Sequence, residues 1–410
     1  MKIDPARLRA EGIHSIEGPR LTLYTDLTPT AAIKELPRLF EQAFPQWCSY
    51  FQVRAEDYPE WKCIAVLLGD GERIRRAGLL PAELPPFRFG FARGTEIWFV
   101  NPPSDYYRRH LLLHEGVHAF MNTILGSCGP TWYMEGVAEL LATHRWESGK
   151  LELGYFPRYP EELSLWGRIR MVREDLKAGI FLTLEEILGL RPRDNESLEL
   201  YGWCWAAANF LDRHPRYQQA FRLLPQRVRW PDFNSQFRQS IGRYWHWAEE
   251  EWAVFVHTLE FGHDVSREAI DLTPGQPLAP AGQEITVAAD RGWQNTGILV
   301  EKGTQYELVA QGRYQLGQEP VIWWCEPGGV TIRYYRGKPL GILLAAVWAG
   351  RQSGKPIRSP FLEPVVVGLR TNFIPAETGT LFLRVNDSPA ELADNRGVLT
   401  VRIRPTLVGS

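Results

Sequence analysis

The chain has 410 residues, 44% of them hydrophobic, and a formal net charge of −2. That length exceeds one ordinary domain and supplies a large core. The near-neutral balance without a long basic run excludes a binder of phosphate backbones, and the apolar runs fall short of the ~20 residues that cross a bilayer. Residues 20–27 (RLTLYTDL) alternate and predict a strand, and 30–52 carry helical spacing through Ile33, Leu36, Phe40 and Phe44. Residues 63–69 (CIAVLLG) predict a second strand, and 87–100 (FRFGFARGTEIWFV) a hairpin turning near Arg93-Gly94. After Pro102-Pro103, Ser104 or Asp105 caps a helix reaching about Leu125. Gly126 to Pro130 stop it, and Thr131 caps the next helix, 132–146.

Residues 160–262 read as mostly helical, with helices at 167–178, 183–189, 200–213 and 245–259. Pro274, Pro277 and Pro280 lie among polar and Gly residues and mark 263–283 as a linker. Beyond it the period switches to two, with strands at 284–289, 297–300, 305–311, 330–335, 341–348, 363–370, 380–386 and 397–404. Short strands with Gly and Pro turns predict an all-β sandwich. The expected division is an α/β part over 1–103, a helical part over 104–262, the linker, and the sandwich over 284–410.

The five cysteines, at 48, 63, 128, 204 and 325, form no Cys-x-x-Cys pair, so thiolate zinc sites and thioredoxin-type chemistry are not expected. Most are expected to be buried thiols. The opening MKIDPARLRAEGIHSIEG lacks the apolar core of a secretory signal. A cytoplasmic location is therefore expected, or a secreted or periplasmic one if a leader has been removed.

The segment His114-Glu115-Gly116-Val117-His118 carries the chemistry. A helix puts positions i and i+4 on one face, so both imidazoles can share one ion, and Glu115 lies beside them. Zinc suits two imidazoles plus a carboxylate, and a bound ion lowers the pKa of water to about 7. Glu115 is then the expected general base. The helix is otherwise apolar (Leu111, Leu112, Leu113, Val117, Phe120, Ile124), and a buried helix holds two His and a Glu only if they have partners. His110 sits one turn earlier, but three His on a straight helix span about 12 Å, so it reads as structural or substrate-side.

The next helix, Trp132-Tyr133-Met134-Glu135-Gly136-Val137-Ala138-Glu139-Leu140, resembles the gluzincin clan of zinc peptidases (HExxH…E), which includes thermolysin and the aminopeptidase N family. The resemblance implies a zincin-like α+β catalytic domain, a mixed sheet plus the motif helix followed by a helical subdomain. It makes Glu135 the third zinc ligand and Glu139 an outer carboxylate that orients a ligating His. Gly136 would let helices approach closely. The segment Leu200-Tyr201-Gly202-Trp203-Cys204-Trp205-Ala206-Ala207 resembles the later helix that supplies a transition-state donor, here Tyr201, with His214 and His246 as alternatives. His144 is off the Glu135 face and is not expected to bind metal. No Gly-x-Met-Glu-Asn motif is present, so aminopeptidase specificity is not implied. The strand Thr95–Val100 is the expected edge on which an extended peptide adds.

Residues 283–407 resemble the galactophilic PA-I lectin, a calcium-binding β-sandwich, most clearly at Asn386-Asp387-Ser388-Pro389-Ala390-Glu391-Leu392-Ala393-Asp394-Asn395-Arg396-Gly397. The resemblance implies calcium ligands at Asp387, Asp394 and Asn395, with Glu391 in place of a Thr and a backbone carbonyl from Leu316. The sugar-contacting His-Pro-x-Gln aligns with Glu326-Pro327-Gly328-Gly329, so neither side chain carries over. An Asx-rich turn without an ion is the competing reading of this loop. The expected function is a zinc metallopeptidase-like hydrolase acting on peptide or protein, using a metal-activated water and Glu115, with an accessory calcium-binding sandwich. The alternative is a carbohydrate- or surface-binding protein whose zinc domain is structural.

Overall fold

A computed structural model describes residues 3–191, 198–317, 321–350 and 359–406. The strand Leu21–Thr25 is buried at every position, which marks a sheet covered on both faces. It belongs to the first of two compact units, Met1–Asp212 with Gln218–Ile241; the second is Arg213–Tyr217 with Gly242–Ser410. No helix among the described residues is long and apolar enough to cross a membrane.

The first unit runs α1 (Pro5–Ala10), β1 (His14–Glu17), β2 (Leu21–Thr25), α2 (Ala31–Lys34), α3 (Leu36–Phe51), β3 (Cys63–Leu68), α4 (Gly71–Arg76), β4 (Gly90–Arg93), β5 (Glu96–Val100) and α5 (Asp105–Phe120). It continues through α6 (Thr131–Ala142), β6 (His144–Glu147), β7 (Lys150–Leu153), α7 (Arg168–Lys177), α8 (Leu184–Leu188), α9 (Leu198–Arg213), α10 (Gln218–Arg222) and α11 (Phe233–Ile241). The sheet order is β1-β2-β3-β5-β4, with β2, β3 and β5 parallel and both outer strands antiparallel. The predicted hairpin is β4–β5, turning at Gly94 (φ 59°). Its edge strand is β4, however, and not the 95–100 segment expected from the sequence. β5 runs parallel to β3 and is therefore interior.

Ser104 caps α5, its hydroxyl accepting from the Tyr107 amide at 3.2 Å. The helix ends in a π turn, Met121–Leu125, closed by Gly126 at φ 79°. Behind α5 stands an aromatic wall. The Phe120 ring lies 5.2 Å from Phe51, 5.8 Å from Trp61, 5.9 Å from Phe44 and 6.0 Å from Trp47. Gly116 is what lets α3 lie this close, since a Cβ there would sit 2.7 Å from Trp47 and 2.8 Å from Phe40.

Helix α6 differs from its prediction at both ends. Pro130 occupies the N-cap position and Thr131 is the first helical residue. The helix stops at Ala142, because Thr143 is extended and His144 opens the β6–β7 hairpin. The His144 ring stacks on Tyr106 at 4.5 Å, its Nδ1 faces the Ala142 carbonyl at 2.8 Å, and Arg109 Nε donates to its Nε2 at 3.2 Å. Those tertiary contacts outweigh the helical pattern of the local sequence.

The second unit begins with α12 (Trp245–Thr258) and holds β8 (Gln276–Pro277), β9 (Gln283–Ala288), β10 (Gln294–Val300), β11 (Tyr306–Gln311), β12 (Tyr314–Gln315), β13 (Trp324–Cys325) and β14 (Val330–Tyr335). It ends with β15 (Lys338–Leu340), β16 (Leu343–Trp348), β17 (Val365–Val366), β18 (Arg370–Phe373), β19 (Gly379–Val385) and β20 (Val398–Pro405). Two sheets, β17-β16-β19-β10-β8 and β18-β11-β20-β9, share a core that includes Val287, Ile298, Leu308, Leu383, Val401 and Ile403.

A second apolar cluster joins Val254 of α12 to Ile270, Leu272, Trp293, Leu344 and Phe382. Strand β19 is thus buried at every position, with side chains in both clusters. The Pro-rich 263–283 segment contributes fully buried Ile270 and Leu272, and it packs with α12 inside this unit. Buried Glu251 ties residues 213–217 to the same unit, holding His214 Nε2 at 2.9 Å, Arg216 Nη1 at 2.7 Å and the Ile270 amide at 2.6 Å.

Candidate metal centre

One turn of α5 separates His114 from His118, and their Nε2 atoms lie 3.0 Å apart. Glu135, in the first turn and a half of α6, places Oε2 3.2 Å from His114 Nε2 and 3.5 Å from His118 Nε2. These three atoms form a triangle. An ion at about 2.0–2.1 Å from tetrahedral ligands would have ligand atoms roughly 3.3 Å apart. The donor set and its spacing therefore fit zinc: the structure brings His114, His118 and Glu135 together. Burial alone would raise the Glu135 carboxyl, but His118 and His114 hold it below the ordinary range.

Glu115 is buried, and burial pushes its carboxyl upward against the pull of His114 and His118. It faces strand β4: a Cβ on Gly90 would lie 2.5 Å from Glu115 Oε1. The edge strand thus passes directly over the proposed base because position 90 has no side chain. Tyr201 on α9 has its ring centroid 6.0 Å from that of His114. Burial, then Glu135, Glu139 and Glu115, keep its hydroxyl protonated well above the usual phenol range. Gly136 makes this placement possible, since a Cβ there would meet the Cys204 carbonyl of α9 at 2.8 Å.

Glu139 lies beneath His114, with Oε1 3.3 Å from Nδ1. The structure adds two residues that sequence reasoning did not connect to it. His110 Nε2 is 3.2 Å from Glu139 Oε2, and Arg168 of α7 forms a bidentate pair with the same carboxylate at 2.7 and 2.8 Å. His110 is fully buried and so structural, its Nδ1 facing the Ala142 carbonyl at 3.1 Å. No local signal marks Arg168, which is one arginine among many and 29 residues from Glu139. Of the alternative donors, His214 is engaged by Glu251 in the second unit, and His246 is exposed beside Trp247.

In the second unit Asp387 accepts from Asn395 Nδ2 at 2.8 Å and from the Ser388 amide at 2.7 Å. Burial raises the Asp387 carboxyl to about 6 in spite of those bonds. Asn395 is fully buried, and its Oδ1 has no hydrogen-bond partner among the described residues. Asp394 Oδ2 lies 3.5 Å from the position a Cβ would take on Gly317, next to buried Leu316. Glu391 is held by Arg333 at 2.6 Å. Among the described residues, the His, Cys, Asp and Glu groups close enough to share an ion are those around His114, not this loop.

The chain is therefore a two-unit protein, an α/β unit carrying a buried His–Glu cluster and a β-rich unit of several sheets. No known protein family matches its sequence, and no curated protein does. Among solved structures it matches one described as "EclA N-terminal domain; PllA-like lectin", at 22% identity and a TM-score of 0.22, covering 30% of this chain and 95% of that one.

Proposed function

We propose that the first unit is a zinc-dependent hydrolase of the gluzincin type that acts on peptides. The observation that carries this is the convergence of His114, His118 and Glu135 with Glu115 beside an edge strand. When bound, zinc supplies a Lewis-acid charge that acidifies water and polarises a carbonyl. The chain's own groups do the rest. Glu115 accepts a proton from the attacking water at its carboxylate and returns it to the leaving amine. Tyr201, which keeps its O–H, donates to the oxyanion. An extended substrate pairs with the backbone of β4, whose outer side carries no strand among the described residues. Zinc content together with hydrolysis of a diverse peptide library tests the reading, and a zinc-loaded chain that cleaves no peptide would count against it.

The Gly90 contact makes a separate prediction. Gly90→Ala puts a methyl 2.5 Å from Glu115 Oε1, well inside van der Waals contact, and shifts the carboxylate by about an ångström. Such a displacement costs on the order of 10²-fold in turnover. The expected result is that loss in kcat with zinc content unchanged, and parental turnover would show that Glu115 does not work from its position against β4.

For the second unit we propose a calcium-holding loop at Asp387, Asp394, Asn395, Glu391 and the Leu316 carbonyl. Support comes from the buried Asn395 Oδ1 without a hydrogen bond and the buried Asp387 carboxylate, hard oxygen donors of the kind calcium takes. Calorimetric titration with calcium is expected to show binding that Asp387→Ala abolishes. Equal binding by the variant would remove the site, and with it the basis for the carbohydrate-binding alternative, which a glycan array with and without calcium tests directly.

A further inference from the structure

Glu139 takes four contacts at once. Its Oε1 accepts from Arg168 Nη2 at 2.7 Å and lies 3.3 Å from His114 Nδ1. Its Oε2 accepts from Arg168 Nε at 2.8 Å and lies 3.2 Å from His110 Nε2. Arg168 thus hydrogen-bonds both carboxylate oxygens, while the two imidazole nitrogens stand at contact distance from them. His110, His114 and Glu139 are close enough to share an ion, yet the guanidinium already occupies the carboxylate that such an ion would need. The cluster is therefore built to orient, not to bind a second metal.

Depth explains why an arginine is required. Glu139 is 1% exposed and Arg168 4% exposed. A carboxylate at that depth needs a countercharge. A ligating His114 is neutral and cannot supply it, and His110 spends Nδ1 on the Ala142 carbonyl. Arg168 is the permanent cation in contact, and its planar fork fixes the carboxylate's rotation as well as its charge. The approach of α9 that brings Tyr201 over the site also brings it to Arg168, whose guanidinium carbon lies 5.7 Å from the Tyr201 ring centroid. Gly202 permits that approach, since a Cβ there would already be 3.2 Å from the Arg168 carbonyl.

We propose that Arg168 is a positioning residue of the metal centre: its fork fixes the orientation of Glu139, and through Glu139 it turns His114 so that Nδ1 faces the carboxylate and Nε2 faces Glu135 and His118. The inference rests on the zinc reading of the site. Outer carboxylates that orient a ligating imidazole are worth about 10–100-fold in metal affinity. Arg168 is expected to share that effect because it acts on the same carboxylate.

The test is zinc affinity by chelator competition, with the visible bands of the cobalt-substituted protein as a second readout, on the parent chain, Arg168→Met, Arg168→Lys, Glu139→Gln and the Arg168→Met/Glu139→Gln double variant. Arg168→Met and Glu139→Gln are each expected to weaken zinc by about 10–100-fold and to shift the cobalt bands. The double variant is expected to match Glu139→Gln alone, since both changes remove one path. Arg168→Lys keeps the charge without the fork and should fall between parent and Arg168→Met. Should Arg168→Met fail to fold, Arg168→Lys decides: parental affinity with unshifted cobalt bands would overturn the proposal. A double variant whose loss equals the product of the two single losses would also overturn it, because Arg168 would then act independently of Glu139. A parent chain that binds no zinc overturns the metal reading and this inference together. A parent that binds zinc with unaffected Arg168 variants overturns this inference alone.

Discussion

Glu115→Gln is expected to keep its zinc and to lose peptide hydrolysis by about 10²–10⁴-fold, the range a positioned general base contributes. The substitution preserves volume, which matters because the side chain fills the space against Gly90. The proposed zinc ligands are His114, His118 and Glu135, so removing the charge of Glu115 leaves the donor triangle intact. What is lost is proton acceptance: a carboxamide at that position cannot take the proton of the attacking water. Burial raises the Glu115 carboxyl, and a carboxylate lifted toward neutrality is a stronger base than an exposed one. Metal analysis and turnover on the same preparation check the result. Parental hydrolysis by Glu115→Gln would mean that another group takes the proton.

The second large effect is on stability. Phe120→Ala is expected to cost about 3–5 kcal/mol, the usual range for truncating a buried aromatic. Phe120 is fully buried and touches four other aromatic rings, from α3 and from Trp61. Its removal opens a cavity behind α5, the helix that carries His114 and His118. Since whole domains are stable by only about 5–15 kcal/mol, a loss of this size consumes much of the margin. Urea denaturation followed by tryptophan fluorescence measures it, because Trp47 and Trp61 report from inside the wall. A loss below about 1 kcal/mol would show that the sheet, and not the aromatic wall, holds α5 in place.

These two variants separate the chemistry of α5 from its support, and the sequence was unequally informative about them. The i, i+4 spacing of His114 and His118 needs only helix geometry, so it was legible. Glu135 came from the resemblance of its Glu-Gly-x-Ala segment to a zinc-peptidase helix. Tyr201 came from a segment resemblance, and its approach to His114 needed Gly136 to admit α9. Most of the longer period-two strands of the second unit were readable one by one, though 363–370 read as one strand where the structure has β17 and β18. Their assignment to two sheets, with β19 buried between the shared core and a layer containing α12, was not.

Misread features share a cause. The end of α6 and the Pro-rich 263–283 segment look, respectively, like continued helix and like linker because their local composition says so. In the structure His144 leaves the helical pattern to stack on Tyr106, and Ile270 and Leu272 leave solvent to cover a sheet. The edge strand followed the same logic: β4 and β5 were recognised as a hairpin, but which strand lies outside depends on β5 pairing with β3.

The sequence by itself determined the spacing of His114 and His118 on one helix, the place of Glu115 beside them and the switch from helical to alternating periodicity. Each of these is a local property, set by 3.6 or 2 residues per repeat and by the donor chemistry of single side chains. Only the tertiary structure decided that β4 passes over Glu115, that α9 brings Tyr201 to His114, and that Arg168 neutralises Glu139. Those depend on the close approach of elements far apart in the chain, admitted by glycines at 90, 136 and 202 and enforced by the need of a buried charge for a partner.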